Sequence, residues 1–194
     1  MSDKISIDPT RTALLVMDFQ IMTVNGYAVD PEGLLARTAG LIEASRKAGM
    51  MVVHVVVGFR AGHPEISPHN LTFFAAVKKA NLLVLGEADA AIHPAVAPEF
   101  GEVVVTKHRV SAFAGTDLDM ILRANGIETL ILAGIATSGV VLSTLRHAAD
   151  ADYRVVVVED CCSDRDEEAH RVLTERVFPH QAIIVAVDEI VGGL

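Results

Sequence analysis

Six short runs rich in β-branched residues, each separated from the next by a longer segment of mixed polarity, constrain the fold of this chain more than any other feature. The runs fall at 12–18, 51–57, 102–107, 129–133, 154–159 and 182–187. Helical periodicity marks 32–48, 70–80, 117–125, 141–151 and 166–178. Strand and helix therefore alternate, and right-handed crossovers turn that order into a parallel sheet between two helical layers. The run Val155-Val156-Val157-Val158 has no polar alternation, as a strand covered on both faces requires.

Composition agrees with this reading. The sequence is 51% hydrophobic but only 5% aromatic, so the core must be built from Val, Leu, Ile and Ala. The expected fold class is α/β: a three-layer α/β/α sandwich around a six-stranded parallel, Rossmann-like sheet. Its 194 residues fit one domain, 1–194. In such sheets ligands bind beyond the carboxyl ends of the strands. The stretch 58–100, with four X-Pro steps, breaks the rhythm and is expected to be a loop-rich excursion with a short helix, a candidate lid or dimer contact.

The net charge of −9 and the lack of any basic run make nucleic acid and anionic membranes poor partners. No apolar stretch reaches the ~20 residues needed to span a bilayer. The first residues carry no signal-peptide pattern, and the adjacent Cys161 and Cys162 do not make a disulfide framework. A soluble cytoplasmic protein is the simplest expectation. The apolar excess suggests a subunit interface, hence a homodimer or homotetramer.

Two charged residues stand at strand ends. Asp18 closes the first strand, where an acid is costly without a partner. It is either a cap for the following loop or a general acid/base. Lys107 closes the third strand at the same sheet edge. It is either a snorkelling lysine or the partner that holds Asp18 ionised. Phe113 is a pocket wall or core packing. The segment 130–141 reads as strand, Gly-assisted turn and helix start, which can aim backbone N–H groups at a developing oxyanion. Gly134 and Gly139 form neither a dinucleotide fingerprint nor a P-loop. The eight histidines show no zinc spacing, so no metal or other cofactor is expected.

Three pieces in order, Leu14-Leu15-Val16-Met17-Asp18-Phe19-Gln20, Lys107-His108-Arg109-Val110-Ser111-Ala112-Phe113 and Gly134-Ile135-Ala136-Thr137-Ser138-Gly139-Val140-Val141, resemble the isochorismatase-like, or cysteine hydrolase, superfamily. The resemblance runs from about Pro9 to Val187. It implies an Asp, a Lys and a Cys converging at the carboxyl edge of the sheet. Asp18 and Lys107 match the first two, but the Cys position falls on Val140. It also implies a cis peptide at Ile135–Ala136, and an oxyanion hole from the N–H groups of Ala136 and residue 140. Gln20, Phe113, Ala136 and Thr137 become candidate substrate contacts.

Family members that hydrolyse amides form a thioester on the Cys, and valine cannot. Members resembling true isochorismatases lack the Cys and cleave a vinyl ether, with the Asp as proton donor. The resemblance therefore implies a hydrolase of a small molecule, cutting a vinyl ether or amide bond without a Cys nucleophile. Arg60, Arg109 and Arg146 are candidates to meet substrate carboxylates. Two alternatives stand beside it: a relocated nucleophile at Ser138, Ser143, Cys161 or Cys162, and an inactive small-molecule-binding or oligomerisation protein on the same scaffold.

Overall fold

The computed structural model describes residues 6–194. Its strands are β1 (Thr12–Met17), β2 (Met51–Val57), β3 (Val103–Lys107), β4 (Thr129–Ile135), β5 (Arg154–Ser163) and β6 (Ile183–Val185). They form one sheet in the order β3-β2-β1-β4-β5-β6, with every neighbouring pair parallel. The helices are α1 (Ile21–Tyr27), α2 (Pro31–Lys47), α3 (Phe73–Ala80), α4 (Leu118–Ala124), α5 (Leu142–Asp150), α6 (Glu167–Val172) and α7 (Val187–Val191). None of the described helices is long and apolar enough to cross a membrane.

The two-residue period of a strand sends alternate side chains to opposite faces. In β1, Ala13, Leu15 and Met17 join a core with Leu118 and Leu122 of α4 and Leu145 and Ala148 of α5. Leu14 and Val16 join the other core, with Leu34, Leu41 and Ile42 of α2 and Ile190 of α7. Both faces of β1 are thus dry. Each such Leu or Val contributes roughly 1.5–3 kcal/mol by leaving water, against the entropy of ordering the chain. The chain crosses over in opposite directions on either side of the β1–β4 pair. That switch point leaves a crevice at the carboxyl edge of the sheet.

Three departures from the sequence reading have physical causes. β5 continues to Ser163, so Cys161 and Cys162 lie inside the strand rather than after it. Leu132 of β4 faces Val157, yet Gly134 faces Cys162. The extra residues around Glu159-Asp160 are absorbed there as an irregularity, where the sequence suggested an end. The helix expected over 166–178 divides into α6, a π-type turn over Leu173–Val177 and a 3-10 turn over Phe178–His180. Pro179, without an N–H, cannot continue a helix from the preceding turn. The unforeseen α1 has the sequence Ile-Met-Thr-Val-Asn-Gly-Tyr, poor in helix formers. Tertiary contact supports it: the Thr23 hydroxyl accepts from the Gln20 N–H at 3.1 Å and donates to the Asp18 carbonyl.

The excursion after β2 holds α3 and two 3-10 turns around a small core of its own, including Phe59, Phe74 and Leu83. A single bridge closes it on itself, Phe59 with Val84, and another ties it to the start of α1, Gln20 with Ile92.

Candidate active site

Asp18 follows β1 with φ 59°, a left-handed conformation that Asp tolerates better than most residues. Its N–H donates to the Val55 carbonyl at 2.8 Å, so the chain turns out of the sheet at a fixed point. Lys107 ends β3, opposite Val57 in the register. Its side chain crosses the end of β2, and Nζ reaches Asp18 Oδ2 at 2.8 Å and the Arg109 carbonyl at 3.1 Å. Asp18 is 5% exposed and Lys107 is 2% exposed. The second oxygen, Oδ1, is buried without a hydrogen-bond partner. The nearby Val57 N–H is committed to Gln20 Oε1 at 2.9 Å. Burial pushes the Asp18 carboxyl above the ordinary carboxylate range, against the opposing charge and hydrogen bond of Lys107.

The turn after β4 completes the site. Gly134 lies where a Cβ would stand 3.0 Å from Val141 Cγ2 and 3.2 Å from Met17 Cβ, so a larger residue would have to push these neighbours back by a few tenths of an ångström. The Ile135–Ala136 peptide is cis. A π-type turn over Thr137–Val141 then leads into α5. Asp18, Lys107, Ala136 and Val140 line one cleft of about 380 Å³, with Phe73 and Phe74 from the excursion forming part of its wall. Val140 is 2% exposed.

Other residues singled out in the sequence lie elsewhere. Gln20 is fully buried, and its amide joins the Val57 and Ala90 carbonyls at 2.8 and 2.7 Å, tying α1 and the excursion to β2. Phe113 packs in the core with its ring stacked 4.6 Å from that of His147. Thr137 is fully buried and shares a hydrogen bond with His170 Nδ1 at 2.8 Å. None of these three lines the cleft. Of the three arginines, Arg109 borders the cleft. Arg60 pairs with Glu65, and Arg146 donates to Gln181.

The cysteines lie outside the cleft as well. Burial pushes the Cys161 thiol up to about 12 and the Cys162 thiol higher still, so neither is a ready thiolate. Ser138 does line the cleft, but its hydroxyl donates to Asp164 Oδ2 at 2.6 Å. Ser143, one helical turn beyond Val140, also lines it.

Sequence reasoning missed the apolar wall of Tyr27, Phe73 and Phe74, which comes from segments distant in the chain. It also missed Asp164. That residue immediately follows β5, at the same sheet edge as Asp18 and Lys107, and this placement was the available signal.

Comparison with known proteins identifies the family. The family model described as the isochorismatase domain matches residues 12–189. Maleamate amidohydrolase of Pseudomonas putida is 35% identical over 167 residues, covering 82% of this chain and 76% of that protein. Ureidoacrylate amidohydrolase RutB of Agrobacterium fabrum is 34% identical over 180 residues, covering 81% and 78%. Among solved structures, an isochorismatase family protein from Burkholderia thailandensis superposes with a TM-score of 0.84 at 29% identity, covering 97% of each chain. With its sheet order, its strand-end Asp and Lys and a sequence match over nearly its whole length, the chain belongs to the isochorismatase family.

Proposed function

We propose that the cleft hydrolyses the amide bond of a small carboxylate by direct attack of water, without a covalent enzyme intermediate. The observation that carries this reading is the buried Asp18–Lys107 pair in a cleft lined by Val140, the residue on which the family resemblance puts the Cys. Asp18 takes a proton from water as the water oxygen bonds to the carbonyl carbon. Lys107 compensates the carboxylate charge before the proton arrives. The wall formed by Ala136, Gly139 and Val140 faces the developing oxyanion. When the tetrahedral adduct collapses, the C–N bond breaks and Asp18 returns its proton to the leaving nitrogen. The immediate products are a carboxylic acid and an amine or ammonia, which leave as carboxylate and ammonium once the acid's proton passes to the nitrogen, so atoms and protons balance.

Charge and kinship support the substrate class. Asp18, Lys107 and Arg109 are the charged residues that line the cleft. The first two compensate each other, which leaves the Arg109 cation for an anionic substrate. Maleamate and ureidoacrylate amidohydrolases are, by name, amidases of small carboxylates.

A vinyl ether is the second reading, and the upward push on Asp18 favours it. A protonated Asp18 would give its proton to the enol carbon, and water would add to the resulting oxocarbenium ion. The test is a panel of small amides and enol ethers, including maleamate and ureidoacrylate, followed by intact-protein mass spectrometry during turnover. Hydrolysis with no mass adduct is the expected result. An acyl adduct, on Ser143 for example, would overturn the direct-water route. Binding without turnover across the panel would leave a small-molecule-binding protein on a hydrolase scaffold.

A further inference from the structure

The turn that walls the cleft is held by groups that do not touch the cleft. Ser138 donates twice to one oxygen of Asp164: its N–H at 2.8 Å and its hydroxyl at 2.6 Å, both to Oδ2. The other oxygen, Oδ1, accepts the Asp166 N–H at 3.2 Å, which fixes the carboxylate on its own segment. Asp166 in turn caps α6 by accepting from the N–H groups of Glu168 and Ala169. The neighbouring residue of the turn, Thr137, is tied to His170 of α6. Two consecutive residues between the cis peptide and Val140 are thereby anchored, Ser138 to the segment joining β5 to α6 and Thr137 to α6 itself. Asp164 and His170 line a separate cavity of about 590 Å³ with Arg37, Cys162 and Arg171.

We infer that Asp164 is a positioning residue of the cleft, which fixes the Ala136–Val140 wall through its paired hydrogen bonds to Ser138. Asp164 is 6% exposed, so these bonds form where water competes weakly. A carboxylate also makes shorter and stronger bonds than a neutral acceptor. The wall needs such an anchor. Inside the turn, the Gly139 and Val141 N–H groups both converge on the Ala136 carbonyl, at 3.1 and 3.3 Å. That sharing leaves the register of the turn to outside contacts. The catalytic consequence rests on the reading that this wall faces the reacting carbonyl; the clamp itself does not.

The test separates the two claims. Hydrogen exchange of peptides covering 134–142 reports the clamp without any substrate. In Asp164→Ala these amides are expected to exchange at least about tenfold faster, while those of β1 and β2 keep the parent rate. Asp164→Asn, whose side-chain oxygen still accepts both Ser138 donors, is expected to restore most of the protection. With an amide that the parent hydrolyses, kcat of Asp164→Ala is expected to fall roughly 10- to 100-fold with a smaller change in KM, and Asp164→Asn to recover most of it. Unchanged exchange in Asp164→Ala would overturn the inference, as would an Asn variant no better protected than the Ala variant. Should Asp164→Ala fail to fold, Ser138→Ala, which removes one donor, is expected to show the same loosening more weakly. Parent-like exchange in Ser138→Ala would then count against the clamp. If the parent hydrolyses nothing, the proposed reaction fails, and exchange still decides whether Asp164 holds the turn.

Discussion

Lys107 Nζ lies 2.8 Å from Asp18 Oδ2, joining two residues 89 positions apart at the carboxyl edge of the sheet. Each is the only charged partner that the other meets in the cleft, apart from the Arg109 cation at its border. Removing one member of a buried pair strands the other, which typically costs about 3–5 kcal/mol, whereas removing both costs much less. Lys107→Met and Asp18→Asn are therefore expected to destabilise the fold individually by a few kcal/mol at most, and the double variant by less than their sum. Denaturant midpoints for the four proteins measure this coupling. Strict additivity would show that the pair does not interact.

The Asp18 carboxyl also sets the pH dependence of the proposed reaction. A general base works only when ionised, so kcat/KM is expected to fall as pH drops through the Asp18 pKa. Burial raises that pKa above its usual value of 3.8, so the acid limb should lie above the range of an exposed carboxylate. Replacing Lys107 with Met removes the opposing charge and should move the limb to still higher pH. Asp18→Asn should lower kcat about 10²- to 10⁴-fold and abolish the limb. A residual profile with the limb unmoved would assign the titration to another group.

Acid stability is expected to depend on a second cluster, at the opposite end of the sheet. Burial would raise Glu102, but hydrogen bonds from Arg46 and the Glu99 N–H, with the Arg46 charge and His54, hold its carboxyl down at about 2. Burial holds His54 below its usual 6.5, despite Glu102 beside it. Both folded values are depressed, so both contributions are present above the unfolded pKa and are lost as pH falls. Stability should begin to decline below about pH 6.5 and fall further between about 4.5 and 2. Discounted for solvent screening around this partly exposed carboxylate, the Glu102 shift is worth roughly 1–2 kcal/mol at neutral pH. Glu102→Gln should lose up to that amount at pH 7, and the difference from the parent should close in acid. Thermal unfolding across pH 3–8 measures it.

Thiol chemistry gives an independent check on the cleft. Cys161 and Cys162 sit in β5, one in each core, with thiols that burial holds protonated. Iodoacetamide should leave both unmodified in the folded protein and should leave any hydrolytic activity intact. Val140→Cys places a thiol on the cleft wall. It should be the one alkylated, and with an amide substrate it should give an acyl adduct that the parent does not. Rapid labelling of the parent, with loss of activity, would implicate a native cysteine instead.

The sequence by itself determined the layered sheet. Runs such as Leu14–Met17 and Val155–Val158 bury side chains on both faces, and a local pattern of polarity is enough to say so. It also placed Asp18 and Lys107 at strand ends, because a charge that breaks an apolar run shows plainly in one dimension. Tertiary structure alone decided what those ends share. The cleft takes its aromatic wall from Tyr27, Phe73 and Phe74, its ion pair from strands that are not neighbours, and the anchor of its turn from Asp164. Gln20 shows the same limit from the other side: the motif that contains it suggested a substrate contact, whereas its amide is spent on the Val57 and Ala90 backbone. Periodicity records which side of a strand is dry, but a hydrogen-bond partner dozens of residues away leaves no local trace.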